Sequence, residues 1–334
     1  MGTYLNPGSK GFCESLNSPI YIDKTALIEK TNAALNTRQK YLCVSRPRRF
    51  GKSMAADMLT AYYSRSENSA GLFEPLAVSR AASYKTHLNQ YDVIKINMQE
   101  FLSATESMDE MLLLLQTRII ADLRRCYPNH VDSNHLMFVM QDIFAHTKHP
   151  FVILIDEWDC LFREYRQDKD AQKKYLDFLR SWLKDKDYVA LAYMTGILPV
   201  KKYGSHSALN MFWEYSMTDQ KELEEYTGFT EAEVKGLCER FGMDFDGLRG
   251  YIVQMLGERC VPVNTRSFQN DMQTLKSADD VLTLLIHLGY LGYDSERKEA
   301  FIPNQEIVEE FENAMSVGGW QEVMEVLRAS EKLL

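Results

Sequence analysis

Between residues 40 and 194, short apolar runs alternate with stretches of helical periodicity. Apolar runs bounded by turn residues are typical of buried strands, whereas apolar residues spaced three and four apart predict amphipathic helices. The predicted strands are 40–45, 91–98, 151–155 and 188–194, and the predicted helices are 54–63, 108–126 and 135–147. This alternation predicts an α/β fold, with a parallel sheet flanked by helices.

The pattern changes beyond Asp219, where helical segments dominate. Thr230 and Glu233 have the spacing of a capping box, which marks the start of one helix. The order from residue 278 is a helix (281–288), a strand (291–293), a charged turn, a strand (300–302) and a helix to 315, which is typical of a winged helix. We therefore predict two domains, 1–220 and 221–334, the second helical and winged-helix-like.

The strand at 40–45 leads directly into a cationic turn that ends in Gly51, Lys52 and Ser53. A helix that begins there would direct its free backbone N–H groups at an anion. Gly51 allows a close backbone approach, Lys52 can reach the outer phosphates, and the Ser53 hydroxyl can ligate Mg²⁺. The usual phosphate-binding loop has glycine where this sequence has Arg46. The predicted nucleotide contacts are Arg46, Pro47, Arg48, Arg49, Phe50, Gly51, Lys52, Ser53 and Met54.

Two carboxylates follow the apolar run 151–155. Open α/β sheets bind their ligands at the carboxyl ends of their strands, which is where Asp156 and Glu157 are expected. Asp156 would hold Mg²⁺ together with Ser53, and Glu157 would polarise the water that attacks the γ-phosphate. The alternative is that these acidic residues only cap the next helix. The following Trp158 is predicted to be a packing anchor.

Thr195 follows the predicted strand 188–194 and would lie at the same edge of the sheet. Its hydroxyl would sense the γ-phosphate or orient the attacking water, although it can also simply start the turn before Pro199. Asp159 would support Lys52 or the water, or cap a helix. The predicted catalytic residues are Glu157, Lys52 and Thr195. No Asn-Lys-x-Asp guanine-recognition motif is present, so ATP with Mg²⁺ is the predicted cofactor.

Composition limits the partners and the compartment. The chain has 334 residues and a formal net charge of −9, which argues against general nucleic-acid binding. Residues 278–315 contain nine acidic and two basic side chains, so the predicted winged-helix-like module is not expected to read DNA. The six scattered cysteines are typical of reduced thiols in a cytoplasmic protein. No apolar stretch is long enough to predict a membrane span.

Several motifs together resemble the bacterial AAA-ATPase-like family. They are YIDKT (21–25), SRPRRFGKS (45–53), LIDE (154–157), TGILPVKKYGSHSALN (195–210), YTGFT (226–230), FQNDM (268–272) and DDVLTLLIHLGYLGYD (279–294). The resemblance implies an AAA-like P-loop ATPase in which Arg46 is a normal replacement for glycine. It also implies that Tyr21, Asp23 and Lys24 line the adenine side, although Asp23 can equally be a helix cap.

The resemblance also indicates partners. Many members of this family continue into a nuclease-like domain of the PD-(D/E)XK type, and the sequence to Leu334 contains no such domain. A segment containing Tyr-Asp-Gly-Tyr is also expected after 241–245 and is missing. We therefore expect an effector or nuclease domain or protein outside this sequence, and an oligomer is possible.

Two functions are consistent with these motifs. The first is Mg²⁺-dependent ATP binding and hydrolysis that regulates a partner or an effector domain, with a lid that opens and closes. The second is an ATP-binding switch or scaffold with little turnover. Glu157 favours the first, because a water-orienting carboxylate serves hydrolysis rather than binding.

Overall fold

A computed structural model describes residues 2–18, 20–46, 48, 50–200, 209–215, 224–240, 245–257, 259–265, 278–287, 291–303 and 308. The chain separates into two compact units, residues 1–228 and 229–334. The assignment of these units as an ATPase domain and a lid stays a prediction.

The first unit is built around a five-stranded sheet. Its strands are β1 (Tyr41–Ser45), β2 (Asp92–Asn97), β3 (Phe151–Asp156), β4 (Val189–Gly196) and β5 (Trp213–Tyr215), and they lie in the order β2-β3-β4-β1-β5. All neighbouring strands are parallel, which confirms the predicted α/β fold with a parallel sheet. Because β4 lies between β1 and β3, its carboxyl end meets both the phosphate-loop strand and the acidic strand.

Helices cover both faces of this sheet. They are α1 (Lys10–Leu16), α2 (Leu27–Ala34), α3 (Lys52–Tyr63), α4 (Ala70–Phe73), α5 (Tyr84–His87), α6 (Met98–Ser103), α7 (Met108–Cys126), α8 (Leu136–Thr147), α9 (Cys160–Glu164) and α10 (Lys169–Leu183). Along β3, Ile153 and Ile155 pack in the cluster that includes α7, α8 and α10, whereas Val152 and Leu154 pack in the cluster that includes α2 and α3. Successive strand residues point to opposite faces, so both faces of β3 are buried.

The longest helix shows how local sequence sets the element boundaries. The Ser107 side chain caps α7 by accepting a hydrogen bond from the Glu110 N–H at 3.3 Å. Arg124 and Arg125 occupy the last turn, where cations favour the helix dipole. The predicted span of 108–126 is confirmed.

The second unit contains helices and a small antiparallel sheet. Its elements are α11 (Glu231–Arg240), α12 (Phe245–Leu256), β6 (Val261–Pro262), α13 (Ala278–His287), β7 (Gly292–Asp294) and β8 (Glu299–Phe301). Strand β8 pairs with both β6 and β7. The predicted capping box is confirmed, because the Thr230 N–H donates to the Glu233 carboxylate at 2.7 Å and the Glu233 N–H donates to Oγ1 of Thr230 at 3.3 Å.

The winged-helix assignment of this unit stays a prediction. The helix expected to run to residue 315 falls almost entirely outside the described residues. Within the part of the chain that the structure describes, no helix is long and apolar enough to span a bilayer.

Candidate nucleotide-binding site

The connection from β1 to α3 ends at Gly51, directly before the first turn of the helix. Gly51 precedes the helix in a left-handed conformation, with φ 72° and ψ 14°. A Cβ at Gly51 would meet no atom within 4 Å, so the backbone conformation rather than space favours glycine here. Helix α3 then begins at Lys52, and the first turn of any α-helix presents backbone N–H groups that lack helical acceptors. Pro47 and Arg49 lie outside the described residues.

Lys52 is buried beneath this turn. Its ammonium group donates to the carbonyl oxygen of Arg46 at 2.8 Å. Burial lowers the pKa of Lys52, and the nearby carboxylates, those of Glu157 and Asp156 foremost, offset only part of that effect. A phosphate group at the turn would therefore meet a cation that is already positioned and partly desolvated.

Three oxygen-bearing side chains from three elements meet beside Lys52. The Ser53 hydroxyl donates to Oδ2 of Asp156 at 2.5 Å, and the Thr195 hydroxyl donates to Oδ1 of the same carboxylate. Asp156 and Thr195 are buried. The strand order explains why these three side chains are close together, because β4 places Thr195 between the carboxyl ends of β1 and β3.

This donor set suits Mg²⁺, which prefers oxygen ligands and usually keeps several waters. Among the described residues no three His, Cys, Asp or Glu side chains gather into a metal cluster. The oxygen atoms of Ser53 and Asp156 could hold an Mg²⁺ ion, with nucleotide oxygens and water completing its shell. The hydroxyl of Thr195 is already bonded to Asp156, so its predicted role toward the γ-phosphate stays a prediction.

Glu157 leaves β3 in an unusual conformation. Its φ is +54°, in the left-handed region that non-glycine residues seldom adopt. Its carboxylate accepts a hydrogen bond from Nη2 of Arg163. Arg163 was not predicted from the sequence, and the only local signal is its spacing of four residues from Asp159 within one helical turn. Trp158 is fully buried, which confirms the predicted packing anchor.

Asp159 has a role that the sequence did not predict. It occupies the residue before α9, but its side chain makes no capping hydrogen bond, so the predicted helix cap is wrong. Its Oδ2 instead accepts the backbone N–H groups of Ile197 at 3.1 Å and Leu198 at 2.8 Å. Asp159 therefore fastens the segment after β4 next to the acidic strand. Its carboxylate also contributes to the electrostatic environment of Lys52.

The Arg46 side chain donates hydrogen bonds to other residues of the first unit, and its predicted contact with a nucleotide stays a prediction. Its guanidinium donates to the carbonyl oxygens of Ser45 at 3.0 Å and Tyr215 at 2.9 Å, and to the Thr227 hydroxyl at 3.1 Å. The side chain is buried. Arg46 therefore ties β1 to β5 and to the segment around Thr227, and its carbonyl oxygen accepts a hydrogen bond from Lys52.

The remaining predicted contacts lie around the same turn. Phe50 packs against Gly228, whose added Cβ would lie 2.8 Å from the Phe50 ring. Met54 is 43% exposed on the first turn of α3. Arg48 lines an open cleft of about 610 Å³ beside the acidic strand. The other residues of this cleft, which we call the acidic-strand cleft, are Asn97, Gln99, Glu157, Arg163, Glu164 and Arg166.

The residues of the YIDKT segment make contacts within the first unit. Asp23 accepts hydrogen bonds from the Thr25 N–H at 2.8 Å and from the Ala77 N–H at 2.7 Å. Lys24 donates to the carbonyl oxygen of Glu225 at 2.6 Å. The Asp23 carboxylate therefore holds the backbone at Thr25 next to Ala77, but the predicted helix cap is wrong, because the N-cap of α2 is Ala26 and no side chain caps that helix. The proposed position of Tyr21 beside an adenine stays a prediction.

Comparison with known proteins identifies the class. The family described as "Predicted AAA-ATPase" matches residues 15–205. The match covers more than half of the chain and includes the phosphate-binding turn and the acidic strand. The chain therefore belongs to this AAA-ATPase-like family, whose members are nucleotide-binding P-loop proteins.

Comparisons with curated proteins and with solved structures do not indicate a function for this chain. No curated protein matches the sequence. One solved structure, titled "Structure of Drosophila ORC bound to AT-rich DNA and Cdc6", contains a chain that is similar at 11% identity, over 86% of this chain and 92% of that one. Its TM-score is 0.30, so the similarity carries no argument about fold or function.

Proposed function

We propose that this protein binds ATP with Mg²⁺ at the β1–α3 turn and hydrolyses it. The observation that carries the proposal is the convergence of Ser53, Asp156 and Thr195 beside the buried ammonium group of Lys52. Oxygen ligands for a divalent metal ion and an ammonium group for phosphate are then close together beside the first turn of α3. ATP is proposed over GTP because the sequence lacks Asn-Lys-x-Asp.

Each residue has a separate role in this proposal. Lys52 and the backbone N–H groups of the first turn of α3 would bind the outer phosphates. Ser53 and Asp156 would hold Mg²⁺, which neutralises charge that develops on phosphate oxygens. Glu157 would accept a hydrogen bond from the attacking water and orient it. Thr195 would fix the orientation of the Asp156 carboxylate, to which it already donates.

The proposal can be tested by separating binding from turnover. Glu157→Gln is expected to keep ATP affinity and to slow phosphate release by about 10²-fold or more, because the amide cannot act as a base. Glu164→Gln is the matched control, since it makes the same change in the same cleft at a residue that has no proposed role in hydrolysis and accepts a hydrogen bond from Gln99. A Glu157→Gln enzyme that turns over at the wild-type rate would exclude Glu157 as the water-orienting residue.

A second candidate is an ATP-binding switch with little turnover. The observation that favours it is the hydrogen bond from Arg163 to Oε2 of Glu157. The two candidates differ in the phosphate-release rate of the wild-type protein with saturating ATP and Mg²⁺. In either case we propose that residues 221–334 serve as a lid and docking module, and that a separate effector responds to the nucleotide state.

A further inference from the structure

The acidic-strand cleft carries positive charge in a protein that is acidic overall. Three arginines and two glutamates line it, whereas the whole chain has a formal net charge of −9. Glu157 and Arg163 form an ion pair with each other. Among the described residues, Arg48 and Arg166 have no acidic side chain within the 4.0 Å of an ion pair. Two guanidinium groups therefore remain for an anion in the cleft.

The Arg166 guanidinium is held along one edge only. Its Nε donates to the carbonyl oxygen of Arg163 at 3.1 Å, and neither Nη1 nor Nη2 donates a hydrogen bond to a described residue. Two parallel N–H groups are the arrangement with which arginine binds phosphate oxygens in pairs. Arg166 is exposed and lines the cleft, so an anion there can reach its Nη groups.

Asn97 adds an uncharged donor to the same cleft. Its Oδ1 accepts the N–H of Gln99 at 2.9 Å, which leaves the Nδ2 amide as a donor. Gln99 in turn donates to the Glu164 carboxylate at 2.6 Å, so one of the two glutamates of the cleft is hydrogen-bonded. Asn97 is paired with Asp156 in the register of β2 and β3. The cleft therefore begins beside a proposed Mg²⁺ ligand.

The proposed hydrolysis would produce a phosphate ion at the edge of this cleft. The water oxygen forms a bond to the γ-phosphorus, the bond to the β–γ bridging oxygen breaks with its electron pair left on ADP, and a proton of the water passes to Glu157 and then to solvent. The attacking and leaving oxygens lie roughly in line. Glu157 lines the cleft and is close enough to Lys52 to act on it electrostatically. The phosphate would therefore form opposite ADP, on the side of the cleft.

We propose that the acidic-strand cleft binds the inorganic phosphate after hydrolysis and is its route to solvent, while ADP stays at the β1–α3 turn. The inference rests on the proposed hydrolysis and adds a second anion site to it. Arg166 binds the phosphate through its Nη groups, and Arg48 and Asn97 supply further donors. The cleft is open and has a volume of about 610 Å³, so it has room for a phosphate ion and several waters.

The first test measures the binding of inorganic phosphate to the protein saturated with ADP and Mg²⁺, by ³¹P NMR titration. Arg166→Gln is expected to weaken phosphate binding about tenfold, because the charge-assisted hydrogen bonds of one guanidinium are lost. Arg166→Lys should have a smaller effect, since an ammonium keeps the charge but not the paired geometry. Arg48 is left unchanged in this test, because it is also predicted to contact ATP.

Arg180→Gln is the matched control. Arg180 is an exposed arginine in the last turn of α10 and does not line the cleft. Its substitution removes the same charge from the protein, so a general electrostatic effect would weaken phosphate binding in both variants. Specific binding in the cleft predicts that Arg180→Gln keeps the wild-type affinity for phosphate.

The second test determines whether the bound phosphate is the product of hydrolysis. In a single turnover, ATP cleavage is measured by acid quench and free phosphate by a fluorescent phosphate-binding protein. The wild-type protein should show a lag between cleavage and release. Arg166→Gln should shorten this lag about tenfold, because weaker binding at one site appears mainly as faster dissociation. Arg180→Gln should keep the wild-type lag.

The outcomes distinguish this inference from the proposed function. If the wild-type protein hydrolyses ATP but Arg166→Gln binds phosphate equally well, or Arg180→Gln weakens binding as much, only this inference fails. If Arg166→Gln weakens phosphate binding but the lag is absent or unchanged, the cleft binds phosphate groups of another molecule and its role in product release is wrong. If the wild-type protein does not cleave ATP, the proposed hydrolysis fails, and this inference fails with it.

Discussion

Gly196 offers a quantitative test of packing beside the site. It ends β4 and faces a buried tryptophan and a buried carboxylate. A Cβ at this position would lie 2.7 Å from Oδ1 of Asp159 and 2.7 Å from both Cδ1 and Nε1 of Trp158. Separations below 3.0 Å essentially never occur for a Cβ, so the neighbours must move. Both neighbours are fully buried, which leaves them little room.

The expected cost of Gly196→Ala follows from these contacts. Overpacking of a close-packed core costs about 1–3 kcal/mol, and the reduced freedom of the unfolded chain returns about 0.5 kcal/mol. For a unit of the size of residues 1–228, a loss of about 2 kcal/mol lowers the Tm by about 4–8 °C. Tryptophan fluorescence during thermal or urea unfolding suits this measurement, because Trp158 and Trp182 are buried in that unit.

Gly71→Ala is the matched control for the same substitution. Gly71 lies in α4, and an added Cβ there would meet no atom within 4 Å. The control should be unchanged or more stable by about 0.4–1 kcal/mol, because alanine restricts the unfolded chain. If Gly196→Ala and Gly71→Ala both unfold at the wild-type temperature, Gly196 is not closely packed against Trp158 and Asp159, and the prediction is wrong.

Two further predictions concern Arg46 and the second unit. Arg46→Gly introduces the residue usual in phosphate-binding loops, yet it should destabilise the protein by about 2–4 kcal/mol in urea unfolding, because the carbonyl oxygens of Ser45 and Tyr215 lose a charged donor. An unchanged stability would contradict the role assigned to its side chain. Residues 222–334 should show no salt-sensitive binding to duplex DNA in fluorescence anisotropy at low ionic strength, since 278–315 carry nine acidic and two basic side chains. Micromolar binding that weakens steeply with salt would overturn that prediction.

Local patterns were sufficient to predict four of the five strands of the sheet, whereas the short strand β5 was not predicted. The run 151–155 is apolar at every position because both faces of β3 are covered by helices. The predicted helix at 54–63 begins two residues earlier, at Lys52, because Gly51 sets the turn that starts it. Asp156 is the last residue of β3 and Thr195 is the next-to-last residue of β4, so the contact between them follows from the strand order rather than from sequence spacing.

Contacts between distant residues were not predictable in this way. The Arg46 side chain reaches partners 169 and 181 residues away, so no local pattern reveals that its guanidinium is used within the fold. The left-handed backbone of Glu157 is likewise invisible in a sequence that places an ordinary glutamate after a strand. The contact of Arg163 with Glu157 depends on that backbone turn and on the short helix α9.

The central claim is that the β1–α3 turn binds ATP through Lys52. Isothermal titration calorimetry of ATP in the presence and absence of Mg²⁺, on the wild-type protein and on folded Lys52→Ala, tests it most directly. The account predicts Mg²⁺-dependent binding by the wild-type protein and none detectable in Lys52→Ala, because the variant loses the buried cation next to the phosphate turn. Equal ATP affinity in the two proteins would contradict it.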